Sequence, residues 1–166
     1  MKKLALAAVA AAAAFTAAPA FAQDASSPQF YGSIGAAMIT DDFVDLGAIQ
    51  ARVGVRGTHF GLEAEGSIGV MDDELFGVDV DLEYQAGIYA VVFLPVSDNV
   101  EFHGRLGYSN FEVGAGGGSA SVDTFNVGIG ASFSFSEKDA IRGDYTYMDD
   151  GGTYANMWSL AYVRKF

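Results

Sequence analysis

The chain has 166 residues, 51% of them hydrophobic, with 21 glycines, no cysteine and a formal net charge of −12. That acidic balance argues against nucleic-acid partners and against attraction to an anionic lipid surface, and the missing thiols exclude a disulfide-stapled secreted fold. The length suits one domain.

The N-terminus reads as a leader. Lys2 and Lys3 give a positive start, Leu4 to Ala18 is apolar or small apart from Thr16, and Ala20-Phe21-Ala22 has the A-x-A form of a cleavage site. The run is alanine-dominated, stops at Pro19 and falls short of the ~20 strongly apolar residues a membrane span needs. Residues 1–22 are therefore expected to be a cleaved signal peptide, and residues 23–166 the mature domain. No later segment reaches the length of a membrane helix, so membrane residence would have to come from strands.

Beyond the leader, charge and oil alternate. Ile49-Gln50-Ala51-Arg52-Val53-Gly54-Val55-Arg56 sets isoleucine, alanine and two valines on one face, and glutamine and both arginines on the other. Phe60-Gly61-Leu62-Glu63-Ala64-Glu65-Gly66-Ser67-Ile68 repeats this with acids. Successive strand side chains point to opposite faces, so the spacing sorts a sheet into an apolar and a charged side. Eight strands are predicted, near Phe30–Ile39, Ala48–Gly57, Phe60–Val70, Leu82–Leu94, Val100–Asn110, Thr124–Phe135, Ala140–Met148 and Tyr154–Phe166. Short turns at 58–59, 97–99 and 136–139 alternate with longer connections at 40–47, 71–81, 111–123 and 149–153. Short periplasmic turns and longer outer loops are the expected asymmetry of outer-membrane barrels. The predicted fold is all-β, an eight-stranded antiparallel up-and-down transmembrane β-barrel.

The face assignment follows strand by strand. Ile34, Met38, Ile49, Val53, Val55, Leu62, Ile68, Leu82, Ile88, Leu106, Ile129 and Leu160 are expected to meet lipid. Arg52, Arg56, Glu63, Glu65, Glu83, Glu101, His103, Arg105, Arg142 and Asp144 are expected to point inward as a charge network, with Lys165 on the same side. An eight-stranded barrel is just wide enough for side chains to fill it, and buried charges must be paired. Tyr89, Val91 and Phe93 would obstruct the periplasmic half. Arg164 breaks the face rule, next to the chain end, where a long side chain can snorkel. Interior Ser132 and Asn126 should accept an arginine that lipid-facing Ile129 would not. Two aromatic belts emerge: Phe30, Phe60, Phe102, Phe133, Phe135 and Phe166 at the periplasmic end, and Tyr84, Tyr108, Phe125, Tyr145, Tyr147 and Trp158 at the outer end.

Two segments carry a resemblance. Arg142-Gly143-Asp144-Tyr145-Thr146-Tyr147-Met148-Asp149 resembles the penultimate strand of the small opacity-type and OmpA-like outer-membrane β-barrel family, which shows an Arg/acid/Tyr/x/Tyr pattern there. Trp158, Leu160, Tyr162 and Phe166 resemble the terminal-strand signal read by the barrel-assembly machinery, with Arg164 departing from the usual apolar residue. The resemblance implies a monomeric or weakly associating barrel in the outer membrane of a Gram-negative bacterium. The partners it implies are lipid and lipopolysaccharide, and the assembly machinery and periplasmic chaperones during biogenesis. Its members differ in role, among envelope integrity, adhesion and small-solute passage. A structural or surface-interaction role with a filled lumen leads, and a narrow porin-like channel is the alternative.

Other chemistry is weaker. A hydrolase needs a nucleophile, a base and an orienting acid. Of the two histidines, His59 falls in a predicted turn and His103 inside the barrel near its periplasmic end, so no catalytic residue is assigned. Gly114-Ala115-Gly116-Gly117-Gly118-Ser119 lacks the lysine and the helix of a phosphate cradle and reads as a flexible outer loop. Asp79-x-Asp81-x-Glu83 has ligand-like spacing without the rest of a calcium loop, so no metal site or cofactor is assigned.

Overall fold

The computed structural model describes residues 28–41, 45–71, 73–75, 78–115 and 118–166. The leader and its cleavage site lie outside them. The described chain forms β1 (Gln29–Thr40), β2 (Asp45–Arg56), β3 (Phe60–Met71), β4 (Asp73–Leu75), β5 (Val78–Pro95), β6 (Val100–Ala115), β7 (Gly118–Ser134), β8 (Asp139–Asp149) and β9 (Tyr154–Lys165). The eight long strands pair antiparallel with their neighbours in order, β3 joining β5 past the short β4, which pairs with β5, and β1 pairs with β9. The eight long strands thus close into a barrel, which satisfies the ladder on both sides of every strand at membrane depth. β4 is a three-residue strip on the outer extension of β5.

Alternation does the sorting. Ile34, Ile49, Val53, Ile68, Ile88, Leu106, Ile129 and Leu160 are exposed on the outer wall, where lipid replaces water. The six phenylalanines of the periplasmic belt are all exposed, as are Tyr108, Phe125, Tyr147 and Trp158 near the other rim. The start of β1, the C-terminal end of β9 and the turns at 57–59, 96–99 and 135–138 share one end, the periplasmic end of this architecture.

Three expectations need correction. The connection at 111–123 is not a loop: β6 and β7 stay in register out to Ala115 and Gly118, and Asn110 Nδ2 donates across the ladder to Ser121 Oγ (2.8 Å) and Asp123 Oδ1 (2.9 Å). The expected loop at 71–81 likewise contains β4 and the start of β5. Leu82 does not face lipid, because a bulge between Leu82 and Tyr84 shifts the register against β6 and turns Leu82 into the lumen. Val55 keeps its outward parity but is covered, at 6% exposure.

Candidate functional site

The lumen is built in three layers. Its middle is a charge cluster contributed by β2, β3, β6 and β8. Arg52 donates from Nε to Glu65 Oε2 (2.7 Å), from Nη1 to Asp144 Oδ2 (2.7 Å) and from Nη2 to Ser159 Oγ (2.9 Å). Arg105 Nη2 reaches the same Glu65 oxygen at 2.6 Å, and its guanidinium lies 3.6 Å from the centre of the Tyr89 ring. Arg142 donates to both Glu63 oxygens and, through Nη2, to Asp144 Oδ1 (2.9 Å). Three arginines therefore face three carboxylates, each with almost no exposed side chain. The cluster is neutral, the condition under which charges can stay inside at all.

Neutral polar groups complete it. The Tyr31 hydroxyl donates to Glu63 Oε1 (2.7 Å), and Gln85 Nε2 and the Tyr89 hydroxyl donate to Glu65 Oε1 (2.9 and 3.1 Å). His103 Nε2 sits 2.7 Å from Asp144 Oδ1, so against an ionised Asp144 this nitrogen carries the proton. Asn126, fully buried, links Tyr89 and Ser109. Room for these long side chains comes from β7. A Cβ on Gly128 would meet Arg105 Cγ at 2.7 Å, and one on Gly130 would meet His103 Nε2 at 2.4 Å.

Apolar side chains flank the cluster at both ends. Toward the outer end lie Ala37, Ile39, Leu46, Ala48, Leu82, Phe111, Met148 and Met157. Toward the periplasm lie Tyr31, Tyr89, Val91, Phe93, Ala140 and Val163. An open vestibule of about 110 Å³ runs from the periplasmic mouth to this second layer and to Arg142 of the cluster, lined in part by Arg56, Phe93, Glu101, Ser132 and Lys165.

Most expected network residues meet in this cluster, but not all. Arg52, Glu63, Glu65, His103, Arg105, Arg142 and Asp144 form the buried core. Arg56 and Glu101 form a separate bidentate pair at the vestibule, 2.7 Å on both arms, with the Arg56 guanidinium 3.7 Å from the Phe93 ring centre. Glu83 is exposed and outside the network, displaced by the bulge at Leu82/Tyr84. His103 bonds Asp144, not the Glu101 and Arg105 that flank it in sequence. Asn126 does not line free lumen, so the expectation that it accepts arginine fails on packing. Lys165 is half-buried beside Ser134 Oγ, 3.3 Å away.

Sequence reasoning missed the outer apolar layer and the neutral members of the cluster. Gln50 shares strand parity with Arg52, Thr146 with Arg142 and Asp144, and Ser159 with Lys165, which is the signal that could have found them. On β9, Trp158, Leu160, Tyr162 and Phe166 are all exposed on the outer wall. Arg164, which broke the face rule, pairs with Asp139 across the rim at 2.6 Å, and the Tyr162 hydroxyl joins the same carboxylate. The side chains at 79 and 81, part of the weak calcium-like spacing, lie outside the described ones.

The family model of the outer membrane protein beta-barrel domain matches residues 7–166. The chain belongs to that family. Among solved structures, this barrel is similar to Ail, the attachment invasion locus protein of Yersinia pestis, solved with the heparin analogue sucrose octasulfate. The two are 17% identical with a TM-score of 0.62, covering 85% of this chain and 100% of that one. The N-terminal barrel domain of Pseudomonas aeruginosa OprF gives 14% identity and a TM-score of 0.62, over 84% of this chain and 100% of that one. Neisserial surface protein A gives 14% and 0.56, over 85% and 98%. At these identities the likeness shows the fold. No curated protein matches. The family and its neighbours are outer-membrane barrels, and this chain is an outer-membrane barrel with a buried, salt-bridged interior.

Proposed function

We propose that this barrel is a sealed, non-catalytic scaffold that holds an acidic surface outside the cell, acting through its outer face and not through its lumen. One observation carries the reading: the paired charge cluster fills the mid-lumen between buried apolar side chains, with Met157 and Val91 each 1% exposed and Arg142 reaching the periplasmic vestibule. An ion crossing this lumen would have to break paired charges and pass two oily layers. The His103–Asp144 pair sits inside that seal, out of reach of a substrate approaching from the outer leaflet. The proposed partners are lipid and lipopolysaccharide around a monomer, and the assembly machinery reading the exposed aromatic edge of β9 during biogenesis.

The outer face separates this chain from a polyanion binder. The outer segments 34–50, 67–86, 106–127 and 146–159 hold three, six, two and two acids, and no lysine or arginine. A heparin analogue of the kind bound to Ail would be repelled here. Planar-bilayer recording of the purified barrel tests the seal, and no discrete conductance is expected.

The second reading, a narrow conduit, draws on the polar mid-lumen, where His103 Nδ1, Arg105 Nε and Nη1, and Thr146 Oγ1 are buried without a protein partner among the described residues. Reproducible openings abolished by Arg105→Ala would establish it in place of the first.

A further inference from the structure

We infer that the outer edge of β7, residues 118–124, is a docking strand for an extended basic peptide, which adds to the sheet through main-chain hydrogen bonds. The inference rests on the surface-interaction reading and names the partner chemistry for it.

The pairing pattern creates the edge. β7 pairs with β6 from Gly118 to Phe133, but with β8 only from Phe125, opposite Asp149. Among the described residues, nothing pairs with the far side of Gly118–Thr124. Antiparallel strands direct their main-chain groups alternately to either side, so this edge offers unpaired N–H and C=O groups at every second residue. At about 3.4 Å per residue, seven residues present roughly 24 Å of ladder.

The edge is also lightly guarded, with Asp123 as its one charged residue. Sheets protect open edges with lysine, proline, bulges or very short strands. The segment Gly118-Ser119-Ala120-Ser121-Val122-Asp123-Thr124 has no lysine and no proline, and its pairing with β6 runs without a register shift. Its side chains are small, and Gly118, Ser119, Ala120, Ser121 and Asp123 are exposed. A partner strand would meet no steric obstacle from them. The β6 neighbour is tied to the segment by Asn110 Nδ2, which donates to Asp123 Oδ1 (2.9 Å), and by Ser119 Oγ, which donates to Glu112 Oε1 (3.2 Å).

Charge selects the occupant. Thirteen acids and no base occupy the outer segments, and Glu112, Asp123, Asp149 and Asp150 lie closest along the chain to this edge. A second copy is a poor occupant, because it brings the same thirteen acids. A copy in the same membrane, related by a two-fold along the membrane normal, would also meet this edge in the parallel sense. An extended peptide with lysine or arginine at alternate positions can pair in either sense and neutralises the field it enters.

The test uses the full barrel in lipid nanodiscs, with a heat-shifted electrophoretic band as the folding control. The probe is an end-capped Lys-Val-Lys-Val-Lys-Val peptide. Hydrogen exchange at the alternate amides of 118–124 that face away from β6 should slow by about tenfold or more with the probe. Analogues with alternate backbone nitrogens methylated, or with glutamate for lysine, should give no protection. Ala120→Lys, a substitution at an exposed position, should cut the probe's affinity by about tenfold while leaving the band shift intact. Equal protection by the methylated analogue would reduce the effect to charge attraction and overturn the strand addition. Equal protection by the glutamate analogue would overturn the charge selection, and no protection by any probe would overturn both. The bilayer recording is independent: a sealed barrel with no protected edge removes this inference alone, whereas discrete openings remove the sealed role itself.

Discussion

Replacing Arg142 by methionine tests the neutral lumen most directly. Arg142 donates to both oxygens of Glu63 and to Asp144, with side-chain exposures of 3% for Arg142, 0% for Glu63 and 1% for Asp144. Methionine fills much of the same volume but leaves three carboxylates facing two arginines. Asp144 keeps Arg52 and His103, whereas Glu63 keeps only the Tyr31 hydroxyl among its direct hydrogen bonds. The expected cost is that of a buried charge stripped of its partner, about 3–5 kcal/mol. That is a large share of the ~5–15 kcal/mol that holds a typical domain folded.

Glu63→Met should cost less, because Arg142 retains Asp144. In the double variant, Arg52 and Arg105 face Glu65 and Asp144, and neutrality returns. The double variant should therefore be more stable than Arg142→Met alone, since an apolar pair can replace a buried ion pair at little cost. Urea unfolding in lipid vesicles measures this, with the sole tryptophan, Trp158, as a reporter on the lipid wall at 59% exposure. Additive costs in the two single variants, or a loss below about 1 kcal/mol for Arg142→Met, would refute the account of the lumen as a charge-balanced unit.

Further outcomes can be checked on the same preparation. Ile129→Arg, on the lipid wall at 66% exposure, should cost about 2–4 kcal/mol if it lies near the bilayer midplane, while Ser132→Arg at the vestibule should stay within about 0.5 kcal/mol. Equal folding yields for the two in vesicles would sink the face assignment. Gly130→Ala sets a Cβ 2.4 Å from the Gly143 carbonyl oxygen and from His103 Nε2, and should cost about 1–3 kcal/mol, whereas a Cβ on Gly104 meets nothing nearer than 3.9 Å. Urea midpoints that coincide for the two alanine variants would contradict that packing. In the turn after β8, Asp150 Oδ1 accepts from the Gly152 and Thr153 amides at 2.8 and 2.7 Å, which holds its carboxyl below the ordinary value of 3.8. A depressed folded value means the turn is stabilised at neutral pH and loses that support as pH falls through a midpoint below 3.8. Amide shifts of Gly152 and Thr153 that titrate at or above 3.8 would refute it.

The barrel was legible because its solvent is inverted. Where one strand face meets lipid and the other meets paired charges, as at Arg52 between Ala51 and Val53, every residue votes on its direction and parity can be assigned without a structure. That legibility ends where the interior stops being charged. Ala37, Ile39, Leu46, Met148 and Met157 lie inside the barrel but are as apolar as Met38 and Ile49 outside it, so alternation carries no contrast there and the outer cap went unseen. Leu82 and Glu83 failed for a different reason: one extra residue in the β5–β6 ladder reverses parity from that point outward, and nothing in their identities announces it. The segment 111–123 misled by composition. Glycine and serine mark loops when the backbone must find water, but in an extended hairpin the facing main-chain groups of the two strands pair with each other, with Phe111 inside and Asn110 across.

The charge cluster also bears on how the barrel finds its register. A uniformly apolar lumen would let neighbouring strands slide by two residues with inside and outside preserved, because parity alone cannot distinguish such shifts. The arginines remove that degeneracy. Arg142 on β8 reaches Glu63 on β3, and Arg52 on β2 reaches both Asp144 on β8 and Ser159 on β9. A two-residue slip moves a side chain about 6.6–6.8 Å along the barrel, farther than any of these hydrogen bonds can stretch, and strands an unpaired charge between two apolar layers. The same cluster that fills the mid-lumen therefore penalises mis-registered closures by several kcal/mol. A wall of β-branched and aromatic side chains supplies no such penalty, which is why the specifying interactions of this barrel lie inside it while its bulk hydrophobicity lies outside.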